Sequence, residues 1–203
     1  MGLGAIFAVF AMLAILMAGP AQATPLGLTL YDTPDIMAGL IDVSYTVGGE
    51  DNFQASGYAL SYLDSSGSSY DLYNPYLVTA TIDAVGEASA GSITIGSAYG
   101  GPTLLTGYLT AFGFLFNDPG QDLFEFMWTV TGGVLASAFG GSGSPVGTIM
   151  GINLDGGASF AAAFTGSDGV NDTGVPVPEP ATMLLLGSGL IGLAGLGRKR
   201  MKL

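Results

Sequence analysis

The chain has 203 residues, of which 34 are Gly, 16 acidic and 4 basic, with no His and no Cys. That length holds one ordinary domain plus targeting segments, and the missing imidazole and thiol exclude His-based acid–base catalysis, cysteine nucleophiles, disulfides and the usual zinc sites. All four cations, Arg198, Lys199, Arg200 and Lys202, fall at the C-terminus, so the rest of the chain cannot neutralise phosphates, which excludes nucleic-acid binding, a P-loop lysine and a Schiff-base lysine.

The first element is the apolar run Leu3 to Ala18, ended by Gly19-Pro20 and the small-x-small triplet Ala21-Gln22-Ala23. This is the pattern of a secretory signal peptide over 1–23, with cleavage expected after Ala23 and a mature start at Thr24. An uncleaved anchor is the competing reading, because the run approaches the lower limit for a membrane span. No basic residue precedes the run, so a start upstream of Met1 is expected.

Strand patterning follows. Ile41 to Val47 alternates apolar and polar residues up to Gly48-Gly49, the signature of a half-buried strand. Further strands are expected over 53–62, 77–85, 92–95, 104–116, 123–130, 146–154 and 158–164, separated by Gly, Pro, Asn and Asp turns such as Asn117-Asp118-Pro119-Gly120. With no capped 3.6-residue period between the ends, this predicts an all-β ectodomain over 24–165. The expected form is an antiparallel β-sandwich of jelly-roll type, flanked by an N-terminal signal helix and a C-terminal transmembrane helix. Leu104, Tyr108, Phe112, Phe114 and Phe116, then Phe124, Phe126, Trp128 and Val130, are expected to line the inner face of a core hairpin, with Gly107, Gly113 and Glu125 on the other face. The polar stretch 166–177 is expected as a flexible linker.

Candidate chemistry in this body is sparse. Asp172-Thr173-Gly174 matches the aspartic-protease triplet, but only one copy exists where that chemistry needs two. Glu50, Asp51, Glu87, Asp122 and Glu125 are the pool from which a glycosidase carboxylate pair would be drawn. Asp155, Asp168, Asn171 and Asp172 are hard oxygen ligands of the type that suits Ca2+, without EF-hand spacing; otherwise no cofactor is expected. The tyrosines Tyr58, Tyr62, Tyr70, Tyr73 and Tyr76 form a candidate sugar-stacking cluster, and Thr79-Ala80-Thr81 hints at a regular threonine face. Asn171-Asp172-Thr173 fits a glycosylation sequon, read as accidental.

The chain ends in three parts: Pro178-Glu179-Pro180, the uncharged run Ala181 to Gly197, and the basic cluster 198–203. The run of 17 residues reaches about 25 Å as a helix, just enough to span, and the cations beyond it hold that side in the cytoplasm, leaving the acidic body exported. This tripartite tail resembles the PEP-CTERM sorting signal of exopolysaccharide-producing Gram-negative bacteria, also described as the C-terminal domain of some ice-binding proteins. The resemblance implies that exosortase, a polytopic membrane protease, recognises the tail and releases or transfers the protein to the surface, with Pro178, Glu179 and Pro180 as recognition residues of a substrate. The combined expectation is a non-enzymatic surface or extracellular-matrix protein with exosortase as partner and exopolysaccharide as a further one. A carbohydrate- or ice-binding module is the alternative, and a glycoside hydrolase the third reading.

Overall fold

The computed structural model describes residues 24–97, 100–116, 120–155 and 159–177. The segments 1–23 and 178–203, with the two helices expected there, lie outside the described residues. Eight strands follow in order: β1 (Leu30–Tyr45), β2 (Phe53–Leu63), β3 (Ser69–Ile82), β4 (Ala88–Ile95), β5 (Leu105–Leu115), β6 (Asp122–Gly132), β7 (Pro145–Leu154) and β8 (Phe164–Pro176). Each pairs antiparallel with the next, and β1 pairs antiparallel with β8, so the sheet closes into a barrel.

The all-β, antiparallel expectation holds, while the sandwich is corrected to a closed barrel. The cause is residues 166–177, which are not a linker but supply most of β8. Their inward positions are Gly166, Gly169, Asn171 and Thr173, all small or polar, so the segment shows no hydrophobic alternation even though all four are buried. The expected strand over 158–164 is instead connection up to Phe164, with Phe160 turned into the core.

Bulges explain where alternation was misleading. In β1 the inward set switches from Ile36 and Ala38 to Ile41, Val43 and Tyr45 across a register shift between Gly39 and Asp42, where Leu40 takes φ 53°. In β5 a shift between Leu109 and Ala111 moves the inward set from Leu105 and Gly107 to Phe112 and Phe114. Tyr108 therefore faces out and Gly107 faces in, the reverse of the expected assignment.

An eight-stranded barrel has an interior that side chains just fill. Phe53 packs on Phe124 at 5.2 Å between ring centroids, Phe112 on Phe126 at 5.1 Å, and Tyr45 meets Phe160 edge-on at 5.0 Å. Toward the other end Tyr62 and Phe139 pack at 6.4 Å. Beneath the 46–52 turn the Asn52 amide acts as a substitute strand, donating to Ile82 O at 2.7 Å and accepting from Ile82 N at 2.8 Å. Replacing Asn52 by Ala strands both buried backbone groups, and an unfolding free energy lowered by roughly 2–4 kcal/mol is expected in urea denaturation.

Candidate functional site

With the interior filled, the outer wall is the surface available for function. Cross-strand register assembles the row Thr165–Ser44–Gln54–Thr79–Ser92–Tyr108–Thr129, running from β8 through β1 to β6. Thr79 and Ser92 hydrogen-bond at 3.1 Å, and in a parallel row Thr131 donates to Thr106 at 2.8 Å. In the Thr79-Ala80-Thr81 segment the alanine is inside and both threonines face out. The wall is mixed: beside these polar rows it exposes Met37, Leu40, Leu115 and Val170. Among the described residues no helix is long and apolar enough to cross a membrane.

A groove of about 370 Å³ opens on this wall between β2, β1 and β8, lined by Asp42, Ser44, Gln54, Ser56, Asp155 and Thr165 among others. Its chemistry is that of a hydroxyl-rich or cationic ligand, with two carboxylates and an amide. The five-tyrosine cluster is divided by the barrel. Tyr76 lies inside and Tyr62 is buried against Tyr70, whereas Tyr58 (49 % exposed), Tyr70 and Tyr73 (69 % exposed) face solvent.

Glu125 is on the outer face of β6, as its place in the alternation requires, yet only 3 % exposed. Its carboxylate accepts from Gly27 N and Leu28 N, each at 2.9 Å, so the segment 24–29 lies as a strap across β5 to β8. The wall is cleared for it by glycines: a Cβ on Gly113 would meet Leu26 N and Thr24 O at 2.6 Å, and one on Gly147 would meet Leu30 Cδ2 at 2.6 Å. The strap ends where Val177 N donates to Thr29 O at 2.7 Å and Leu30 pairs with Pro176. The two ends of the described body therefore meet.

The remaining glycosidase candidates are not assembled around Glu125. Asp122 accepts from Leu154 N at 3.1 Å; Glu50 and Asp51 belong to the β1–β2 turn and Glu87 to the β3–β4 turn. The Ca2+ candidates are also divided. Asn171 points inward and accepts from Ala38 N at 3.1 Å, Asp172 and Asp168 face out, and Asp155 pairs with Thr165. At 4 % exposure Asn171 is closed to glycosylation in the folded barrel. Asp172-Thr173-Gly174 is wall, with Thr173 Oγ1 3.0 Å from Thr148 Oγ1, to which Trp128 Nε1 also donates. The hydroxyl of Tyr76 lies among Thr148, Thr173 and Asn171, and burial pushes its pKa up.

One carboxyl pair was not singled out by sequence. On the outer face of the β1–β8 seam Asp35 sits beside Asp172, and its pKa is pushed up to about 8, first by burial and then by the neighbouring carboxyl group. Nothing in either local sequence signals this, because the two are 137 positions apart (172 − 35) and meet only on closure. The signal for the strap is carried by glycines at outward positions of the strands, Gly113 and Gly147.

The expected cleavage residues Ala21 and Ala23, the motif Pro178, Glu179 and Pro180, and the cations Arg198, Lys199, Arg200 and Lys202 lie outside the described residues. The described part therefore defines a closed antiparallel β-barrel whose last strand ends at Pro176, two residues before the terminal segment. Residues 176–200 match the PEP-CTERM protein-sorting motif. The chain carries a PEP-CTERM sorting signal, the mark of an exported protein handled by exosortase, and the match begins on the last residue of β8. Neither a curated protein nor a solved structure matches the chain.

Two outcomes are expected. Glu125→Ala removes the acceptor for both strap amides, and hydrogen exchange at Gly27 and Leu28 should rise by about tenfold or more, that bond pair being worth over ~1.4 kcal/mol. For Asp35 the folded pKa stands above the unfolded 3.8, so the folded state binds the proton more tightly. Stability from this group is complete below about pH 4 and is lost as pH rises through about 8; Asp35→Asn should flatten that part of the curve, read as the denaturation midpoint against pH.

Proposed function

We propose that the chain is an exported surface or extracellular-matrix protein of a Gram-negative bacterium, made as an inner-membrane precursor and sorted by exosortase. In this reading the barrel serves as a non-catalytic structural or adhesive module. The observation that carries it is the sorting motif directly after β8. The filled interior and the way Glu125 and Asp122 are tied to backbone amides support a wall-based role over catalysis in a cleft. In this reading 181–197 is the transient anchor, the cluster 198–203 fixes its orientation, and Pro178-Glu179-Pro180 is presented to the enzyme.

A second reading, a carbohydrate-binding barrel, is favoured by the exposed rings of Tyr58 and Tyr73 and by the hydroxyl-lined groove beside Asp42 and Gln54. Exopolysaccharide is the partner class for both readings. Intact mass of the protein recovered from the cell surface tests the first: loss of both the first 23 residues and the C-terminal tail is expected, and Glu179→Ala should leave the tail attached in the membrane fraction. A surface species that retains Arg198 to Leu203 would reduce the tail to a plain anchor. A glycan array tests the second, with binding expected to fall about tenfold or more in Tyr58→Ala and Tyr73→Ala, since each stacking ring contributes on the order of 1–2 kcal/mol.

A further inference from the structure

The strands alternate in direction, so the barrel has two unlike rims. The start of β1, the end of β8 and the connections 64–68, 96–104 and 133–144 share one rim, where the tail departs; 46–52, 83–87, 116–121 and 155–163 form the other. Among the described residues, Glu50, Asp51, Asp83, Glu87 and Asp155 lie in connections of the far rim, and Asp64 alone in those of the near rim. The other acidic residues of the near half, Asp32, Asp35, Asp71 and Asp172, sit on β1, β3 and β8. The near rim otherwise offers small residues from Gly140 to Ser144 and the exposed side chain of Val134 (54 % exposed).

Spacing adds the second constraint. The hydrogen bond from Val177 N to Thr29 O holds the chain to the wall through residue 177, and the apolar run starts at Ala181. Only Pro178, Glu179 and Pro180 lie between them, which at about 3.5 Å per residue gives a leash of roughly 10–14 Å across the intervening bonds. The strands of 11 residues, tilted by about 40°, set the rims roughly 25–30 Å apart. In an upright barrel the far rim stands about three Debye lengths further from a bilayer that holds the tail than the near rim does, outside the reach of anionic headgroups.

We propose that in the tethered precursor the barrel stands on the lipid surface with its near rim down, the connections 64–68 and 133–144 against the headgroups and the acid-rich rim facing away. This orientation rests on the sorting reading, in which 181–197 is membrane-inserted. Exosortase, in the same bilayer, would then meet its motif at the foot of a folded barrel, with no flexible stalk between.

The chain has no Cys, so single labels are clean. Full-length Val134→Cys, Ser142→Cys, Val47→Cys and Val85→Cys chains, each carrying a fluorophore, are reconstituted into phosphatidylcholine–phosphatidylglycerol vesicles containing a headgroup quencher. Quenching at 134 and 142 is expected to exceed that at 47 and 85 by about threefold or more, and a ten-residue Gly-Ser insertion between Val177 and Pro178 should erase the contrast. Equal quenching at both rims, or more at the far one, overturns the orientation; a contrast that survives the insertion overturns the short leash as its cause. Failure of the chain to float with the vesicles overturns the tail as an anchor and the orientation with it, whereas floating without contrast overturns the orientation alone.

Discussion

Because β8 pairs with β1, no strand of this sheet keeps a free edge, and the backbone groups that an open sheet would offer to a neighbouring molecule are used within the wall. Closure also creates the interior: the rings of Phe53, Phe112, Phe124, Phe126 and Phe160 come from three strands and a connection, and Phe53 of β2 meets Phe124 of β6 across the lumen. The seam is irregular, with register shifts between Leu30 and Asp35, Ala38 and Ile41, and Ile41 and Val43. Those bulges let a long β1 bend around both β8 and β2, and they carry the strain of curvature at Leu40 and Asp168, each with positive φ. The buried set of Thr148, Thr173, Trp128 and Asn171 sits at β6, β7 and β8 and gives the seam a hydrogen-bonded register that an all-apolar lumen would lack.

Carboxylates in a body without cations need other partners, and several of the buried and turn carboxylates take backbone amides. Glu125 takes two strap amides, Asp64 takes the amides of Ser66 and Ser68 with the Ser66 hydroxyl, which holds its pKa below the usual range, and Asp83 takes the amides of Val85 and Glu87. Asp35 keeps a proton instead. The local device is the same at both rims, an aspartate closing a tight turn. Removing cations from the chain thus shifts electrostatic stabilisation from ion pairs to backbone donors, which are fixed in place by the fold and cost little side-chain entropy.

How far sequence carries the reading differs by element. β6 was the most legible, because Phe124, Phe126, Trp128 and Val130 alternate as a strand should and its ladder to β7 has no register shift; β2 and β7 were placed within a residue of their bounds although Ala55, Ala59 and Thr148 are among their inward residues, and β4 was placed over only its second half. β5 was placed but turned over at Tyr108, because one extra residue in the ladder reverses faces without any mark in composition. β8 was missed as a strand, because Gly166, Gly169, Asn171 and Thr173 read as turn and linker material until a facing wall buries them. With β8 absent from the count, an open sandwich was the natural topology. The terminal signals stood out for the opposite reason: their patterns of charge and apolar length are local and need no tertiary partner. The strap was hidden because Glu125 has one role as an outward residue of an isolated strand and another once residues 24–29 lie over it.

The same closure that protects the folded protein makes its assembly non-local. β1 and β8 lie at opposite ends of the body, and pairing of such distant segments is slow and leaves edges exposed until it completes. No disulfide restrains the open chain, since Cys is absent. What keeps the unclosed body soluble is charge: the 16 acidic residues less Glu179 leave 15 before the tail, with no cation among them, so open chains repel one another at a stage when their apolar strands would otherwise associate. The cost is self-repulsion in the compact state, which the fold limits by spreading acids over the far rim and wall and by leaving Asp35 protonated beside Asp172. A body that closes only when its first and last segments meet also links the strap, β8 and the start of the sorting motif into one event, since Thr29, Leu30, Pro176 and Val177 become neighbours at that moment and not before.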